Sequence, residues 1–101
     1  MKKEKLDITR ALVELSLMFD VNIEDIVNFK SRKANIIDAR RFLIYYLYTT
    51  KRIPHYHMKQ YIKGIHHATS IYHCKIINNF FDINEPYRRK YFDFVYKTDW
   101  A

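Results

Sequence analysis

The sequence predicts an all-α fold of about six helices. Apolar residues recur every three or four positions along most of the chain, which is the spacing of one face of a helix. Glycine occurs once and proline twice, so few residues interrupt a helix, and no segment has a convincing strand pattern. With 101 residues, 49% of them hydrophobic, the chain has the size and apolar content of one domain, 1–101.

The first third of the chain predicts two helices and a loop. The first helix runs over about 8–19 and has Asp7 as its N-cap, because a carboxylate accepts hydrogen bonds from the free amides of a first turn. A short second helix covers about 23–28, with Asn22 as its cap. The basic, polar segment 29–34 breaks the helical spacing and predicts a loop.

A long third helix is expected next. Asn35 is its predicted cap, Asp38 lies in its first turn, and the helix ends near Thr50. Arg40 and Arg41 fall in its N-terminal half. One side of this helix is predicted to be buried: Ile36, Ala39, Leu43, Tyr46 and Leu47.

Three more helices are expected in the second half. Pro54 suits the first position of a fourth helix over 55–63, and Gly64 stands where a helix end needs a left-handed residue. A fifth helix covers about 66–81 and a sixth 85–97. The predicted apolar residues are Met58, Tyr61 and Ile62 on the fourth, Ile71, Cys74, Ile77, Asn78 and Phe81 on the fifth, and Tyr87, Tyr91, Phe94 and Val95 on the sixth.

The charge balance limits the classes of partner. The chain has 18 Lys and Arg against 11 Asp and Glu, a net charge of +7, which favours nucleic acid or an anionic membrane surface, although charge for solubility alone is an alternative. No apolar run approaches the roughly 20 residues that span a bilayer, and no signal-peptide core follows the charged N-terminus. The single cysteine excludes an internal disulfide and favours a reducing, cytoplasmic setting.

Two features together predict contact with duplex DNA. The helix after Gly64 opens on polar residues, and the first residues of a helix can enter the major groove and bond to base edges. A short basic loop near such a helix can contact phosphates or the minor groove. The candidate residues are His66, His67, Thr69 and Ser70 for bases, Lys30, Arg32 and Lys33 for the minor groove or backbone, and Arg40 and Arg41 for phosphates. An ordinary tight helical corner is the alternative explanation for Gly64.

The segment from about Leu6 to Phe81 resembles the C-terminal DNA-binding domain of the bacterial chromosomal replication initiator DnaA. The family's loop and helix commonly read S-K-K-R-x-R-N-I-V-x-P-R-Q-I-A-M-Y-L, and residues 31–46 here read SRKANIIDARRFLIYY. The family signature G-x-D-H-T-T-V-x-H-A is partly matched by residues 64–73, GIHHATSIYH. Both motifs are in register without a gap, and the match covers residues 6–81, to which the helix over 85–97 is appended.

The resemblance implies a Trp-repressor-like helix-turn-helix fold and roles for individual residues. The family's minor-groove arginine falls on Arg32, and the arginine that opens the next helix falls on Arg40. The signature histidine falls on His67 and the second threonine on Thr69. In the signature, His66 replaces the aspartate, Ala68 replaces the first threonine, and Ile65 stands before His66, where the family often has arginine. In the preceding helix, Arg41 replaces the glutamine that follows the arginine. These differences put recognition of the family's usual DNA site in doubt.

Other functions find little support in the sequence. The five histidines include no pair at the i, i+4 spacing of a helical zinc site, and no metal or cofactor is expected. Cys74 lies on an apolar stripe, which predicts a buried side chain rather than a nucleophile. The nine tyrosines fit core edges better than single-strand stacking platforms, Tyr45 and Tyr48 being the exceptions considered. The segment 87–91 fits equally a second DNA-facing patch or a solvated face.

The predicted function is sequence-specific binding of double-stranded DNA, in replication or transcription control. No phosphate-binding loop of the G-x-x-x-x-G-K-[ST] type occurs, so the initiator's ATPase chemistry is not expected, and neither is any other enzyme activity or small-molecule substrate. A free-standing domain of this kind suggests a phage or mobile element, acting in the cytoplasm of a bacterial or phage-infected host cell. The alternative is a protein-interaction module that binds a replication protein or self-associates through the helix over 85–97, without binding DNA.

Overall fold

The prediction of an all-α fold is confirmed. A computed structural model describes residues 6–30 and 33–100. It contains five α-helices and one 3₁₀ helix: α1 (Thr9–Phe19), α2 (Ile23–Val27), α3 (Ala34–Thr49), the 3₁₀ helix (His55–Gln60), α4 (His67–Ile83) and α5 (Glu85–Asp99). The described residues form no strand, although Asn28 and Lys63 make one isolated β-bridge.

Helix α3 forms the centre of the fold. Of its 16 residues, eight are buried, among them Phe42, Ile44 and Arg40 in addition to the five that were predicted. These eight residues lie on more than one side of the helix, so α3 is surrounded by its neighbours rather than resting on them with one face. The ring of Phe42 packs against four other aromatic rings, with centroid distances of 5.1 to 6.1 Å to Phe19, Tyr87, Tyr91 and Phe94.

Helix α5 is part of the core and not an appendage to it. Tyr91 and Phe94 are almost fully buried and pack against α3, as their place on the predicted apolar stripe required. The helix begins with a side-chain cap, because Asn84 Oδ1 accepts a hydrogen bond from the Tyr87 amide at 3.0 Å. The hydrophobic core therefore includes residues beyond 81.

The predicted helix caps are partly confirmed. Asp7 Oδ1 accepts from the Thr9 amide at 3.0 Å and so stabilises the start of α1, but the N-cap residue of this helix is Ile8 and not Asp7 as predicted. Asn22 occupies the cap position of α2 but makes no side-chain cap bond. The cap predicted at Asn35 is wrong: the N-cap residue of α3 is Lys33, two residues earlier, so Asn35 lies inside the helix. For the same reason Asp38 lies beyond the first turn.

The predicted fourth α-helix is instead a short 3₁₀ helix. Pro54 precedes it as the N-cap residue, and hydrogen bonds span three residues, as from the His57 amide to the Pro54 carbonyl at 2.9 Å. The apolar residues predicted for this segment, Met58, Tyr61 and Ile62, are nevertheless buried. Because Tyr61 and Ile62 are buried, the chain changes direction towards α4 at Gly64. The φ of Gly64 is +86°, which lies in the left-handed region as predicted.

Candidate nucleic-acid interface

The N-terminus of α4 is held by its own first residues. His66 is the N-cap residue, and its Nδ1 accepts a hydrogen bond from the Ala68 amide at 3.1 Å. The carbonyl oxygen of His66 accepts from the Thr69 and Ser70 amides. A histidine thus takes the capping role that Asn, Asp, Ser or Thr usually fills. Because His66 is exposed, this capped helix start lies at the surface of the protein.

Two backbone hydrogen bonds tie the end of α2 and the first residue of the basic loop to the turn before α4. The Phe29 amide donates to the Lys63 carbonyl at 2.9 Å, and the Lys63 amide donates to the Val27 carbonyl at 2.6 Å. Lys30 follows at once and is exposed, as is Lys33 at the other end of the loop. Arg32, the predicted minor-groove contact, lies outside the described residues. Lys30, the first lysine of the loop, therefore lies near α4, where it lines a cavity with Thr69 and Tyr72.

Arg40 does not fit the phosphate contact predicted for it. Only 1% of the residue is exposed. Its Nε donates to the Ile26 carbonyl at 3.1 Å, and its Nη2 donates to the carbonyls of Asp25 and Asn28, each at 2.8 Å. The guanidinium also lies 5.0 Å from the centroid of the Phe29 ring. Arg40 therefore satisfies the carbonyls at the end of α2 and fixes the start of the basic loop, which is a structural role.

Arg41 is half-buried and already has partners. Its Nε donates to His73 Nδ1 at 3.0 Å, and its Nη1 lies 3.9 Å from Asp38 Oδ1. Burial, together with the charges of Arg41 and Arg40, lowers the pKa of His73 to about 4, so the ring is neutral at physiological pH. Burial also raises the pKa of Asp38, against the effect of Arg41. With 18% of its side chain exposed, Arg41 offers little surface to a phosphate.

Ser70 does not fit the base contact predicted for it. The residue is fully buried, and its Oγ lies 2.7 Å from His55 Nδ1. His55 in turn stacks on Tyr48, with ring centroids 4.0 Å apart. Burial, and secondly the nearby His67, lower the pKa of His55. The buried side of α4 is formed by Ser70, His73, Cys74 and Ile77. Ile71 and Asn78, which were predicted to lie on the apolar side of this helix, are exposed.

Three of the predicted base-reading residues remain at the surface. His66 is exposed, and His67 and Thr69 are half-buried. The ring of His67 packs against those of Tyr56 and His66, with centroid distances of 4.6 and 4.3 Å. This stacking restricts the orientation of the His67 ring, which favours a defined contact.

The outward face of α4 also includes residues that are not among the predicted site residues. Ala68, Tyr72, Lys75 and Asn79 are exposed and recur at helical spacing, and Tyr72 shows 58% of its surface. The same spacing rule that predicted the buried stripe could have identified them, once the stripe was centred on Ser70 and Cys74. This face adds an aromatic ring, a cation and an amide to the candidate site.

A cavity of about 330 Å³ lies between the loop and α4. Lys30, Arg41, Thr69 and Tyr72 line it together with Phe29, Ile37, Arg40 and His73. None of these eight residues is acidic, and because most of the wall is apolar and Arg40 and Arg41 are engaged inside the protein, the exposed positive charge comes mainly from Lys30. The cavity joins the basic loop and the start of α4 into one continuous surface.

No helix in 6–30 or 33–100 has both the length and the apolar character needed to cross a membrane. The described part of the chain also contains no group of three or more His, Cys, Asp or Glu residues placed to hold a metal ion. Comparison with protein-family models, curated proteins and solved structures finds no match to this chain.

Proposed function

We propose that this chain binds duplex DNA, with the start of α4 in the major groove and the loop before α3 on the backbone. The observation that carries the proposal is the continuity of the two parts. Lys30 of the loop and Thr69 and Tyr72 of α4 line the same cavity, and backbone hydrogen bonds hold the loop in that position. An α-helix fits the major groove, and a basic loop at its side meets the adjoining phosphates.

The chemistry of the outward face of α4 suits contact with bases. Imidazole and hydroxyl groups of His66, His67 and Thr69 can donate or accept hydrogen bonds, and the methyl groups of Ala68 and Thr69 can contact thymine methyls. Tyr72 and Lys75 lie one and two turns further along the helix and would meet the sugar-phosphate backbone. We therefore assign base contacts to the first turn of α4 and backbone contacts to the following turns.

The expected salt dependence of DNA binding is weaker than it would be if all five predicted cations of the loop and of α3 contacted phosphates. Lys30, Lys33 and Lys75 are exposed, and Arg32 belongs to the same loop, whereas Arg40 is buried and only 18% of the Arg41 side chain is exposed. About four phosphate contacts correspond to a slope of log affinity against log salt of about −3 to −4. Binding of this kind should be clear at low salt and weaken steeply as salt is added.

The resemblance to the initiator's DNA-binding domain supports the same assignment. The matched histidine and threonine, His67 and Thr69, are the two residues at the start of α4 that remain half-exposed after the fold is formed. We extend the proposal to a role in replication or transcription control, without catalysis, in the cytoplasm of a bacterial or phage-infected cell. The differences at His66 and Ala68 lead us to expect a target sequence other than the initiator's usual box.

Competition binding by fluorescence anisotropy tests the proposal. A duplex selected from a random pool is compared with a scrambled duplex, and circular dichroism confirms that each variant folds. His67→Ala and Thr69→Ala should each lose about 1–3 kcal/mol on the selected duplex and much less on the scrambled one. Lys75→Ala should weaken both equally and reduce the salt slope by about one. Lys97→Ala on α5 is the matched control and should bind like wild type.

Two outcomes would contradict the proposal. If His67→Ala and Thr69→Ala lost affinity equally on both duplexes, the start of α4 would not read bases. If wild type showed no binding at low micromolar protein and low salt, DNA would not be the ligand, and a module that acts only through proteins would be favoured.

A further inference from the structure

The side chain of His66 caps α4 through a hydrogen bond that only an unprotonated ring nitrogen can make. Its Nδ1 accepts from the Ala68 amide at 3.1 Å. A backbone N–H is always the donor, so Nδ1 carries no proton and the neutral ring carries its proton on Nε2. Asn, Ser and Thr keep an acceptor oxygen between about pH 5 and 8, whereas a histidine that takes up a proton has a hydrogen on both ring nitrogens. The start of α4 is therefore capped only while His66 is neutral.

The capped ring also supports His67, the residue to which a base contact is assigned. The centroids of the two imidazole rings lie 4.3 Å apart, and the ring of His67 also packs on Tyr56. His67 is half-buried, so these neighbouring rings limit the directions in which it can point. If the cap bond opens, the His66 ring is free to rotate, and His67 loses this aromatic neighbour.

We propose that His66 is a positioning residue that couples sequence discrimination to pH: the neutral ring holds His67 for its base contact, and the protonated ring releases the start of α4. The inference rests on the proposed function, since His67 contacts bases only if α4 enters the major groove. Protonation acts on the helix in two ways. It removes the acceptor of the Ala68 amide, and it places a positive charge at the helix end where the macrodipole is already positive.

The groups around the helix start do not compensate that charge. They are neutral or cationic: His67 on α4, His55 and Tyr56 on the 3₁₀ helix, Tyr48 on α3 and Lys63 in the preceding turn. No carboxylate in 6–30 or 33–100 forms an ion pair with His66. Burial, and secondly His67, lower the pKa of His55, so positive charge is already disfavoured in this cluster. A protonated His66 is therefore released to solvent, where the phosphates of any duplex attract it.

Protonation of His66 has opposite effects on specific and non-specific DNA binding. Loss of the cap weakens contacts to base edges on a preferred duplex, whereas the added imidazolium strengthens attraction to phosphates irrespective of sequence. Loss of a side-chain cap corresponds to about a fivefold change in the population of a formed helix start. The ratio of affinities for a preferred and a scrambled duplex therefore falls as the pH is lowered.

Competition binding at pH 7.5 and 5.5, at one salt concentration, tests this coupling. In wild type the affinity ratio of the selected over the scrambled duplex should fall about fivefold or more at the lower pH. In His66→Asn the ratio should change by less than about twofold, whatever its value at pH 7.5, because an Asn cap does not titrate. His57→Asn is the matched control: His57 is likewise exposed but caps no α-helix, so this variant should show the wild-type fall.

Nitrogen NMR of the free protein separates failure of this inference from failure of DNA binding. In the neutral His66 ring the proton should lie on Nε2, and the Ala68 amide resonance should shift as that ring titrates. A proton on Nδ1, or an Ala68 amide that does not follow the ring, overturns the cap whether or not DNA is bound.

The binding data have three contrary outcomes. An equal fall of the ratio in wild type and His66→Asn, or no fall in wild type, overturns the coupling while duplex binding stands. Absence of binding to either duplex at pH 7.5 removes the function on which the coupling rests. Circular dichroism at both pH values monitors the fold, and a loss of structure common to all three proteins would produce the equal fall that counts against His66.

Discussion

Replacement of Arg40 by lysine separates a structural role from a DNA-binding role. The Arg40 guanidinium donates three hydrogen bonds, to the carbonyls of Ile26, Asp25 and Asn28. A lysine ammonium keeps the charge but has a single nitrogen, so it cannot reach three acceptors in the arrangement of the planar fork. If Arg40 served a phosphate, Arg40→Lys would keep most of its effect; if it serves the fold, the variant loses stability.

The expected loss follows from the acceptors left without a donor. At least two of the three carbonyls would lose their partner, and each unsatisfied buried acceptor costs about 1–3 kcal/mol. Asp25 and Asn28 are only half-buried and can admit water, which places the total at about 2–4 kcal/mol. Against a typical unfolding free energy of 5–15 kcal/mol this is a large fraction, and it corresponds to a fall in Tm on the order of 10–25 °C.

Urea denaturation followed by circular dichroism measures this loss. Arg89→Lys is the control, because Arg89 is exposed and its one ion pair with Glu85 can be kept by lysine, so its midpoint should change little. The slope of DNA affinity against salt should be the same in Arg40→Lys as in wild type. A variant within 0.5 kcal/mol of wild-type stability would refute the structural role of the guanidinium.

Three further predictions concern the interior and the turn. Lowering the pH from 7 to 5 should reduce the unfolding free energy by about 2 kcal/mol through His73. The unfolded ring, with a pKa near 6.5, takes up a proton in this range, whereas the folded ring, with a pKa of about 4, does not. This contribution to stability is present above pH 6.5 and is lost as the pH falls towards 4. His73→Asn should remove most of that pH dependence in urea titrations, and an unchanged dependence would contradict the assignment. Cys74 is 7% exposed, and burial raises its pKa to about 11, so a thiol reagent should label it slowly in native protein and quickly in denaturant; fast native labelling would place it at the surface. Gly64→Ala should lower the unfolding free energy by about 1–2 kcal/mol, and Gly64→Asn by less, because a side chain is strained at this positive φ. Steric contact adds little, since an added Cβ would lie 3.7 Å from Phe29 Cβ. Equal stability of both variants and wild type would exclude backbone strain.

Helical spacing was sufficient to predict the fold class and most of the core. The predicted apolar residues of the third helix are buried, and those of the sixth are buried or half-buried. Asp7 bonds to the start of α1 as expected, although Ile8 is the N-cap residue. The left-handed conformation of Gly64 followed from a single residue type at a helix boundary. Helix formation, the Asp7 bond and the turn at Gly64 depend on residues close in sequence, and an apolar stripe at helical spacing indicates which side of a helix packs inward, so the sequence contains this information directly.

The environment of polar side chains was decided by tertiary structure. Arg40 and Arg41 are adjacent and chemically alike, yet one binds the carbonyls of α2 and the other a histidine of α4, because α3 is enclosed by neighbours that sequence spacing does not locate. Ser70 is buried against His55 for the same reason, although it lies in the first turn of the helix that was expected to read DNA. The sequence by itself determined that this chain is helical, basic and equipped with a polar helix start beside a basic loop. Which of those polar groups remain available to a ligand depended on how the helices pack, because burial is a property of the assembled fold and not of any one segment.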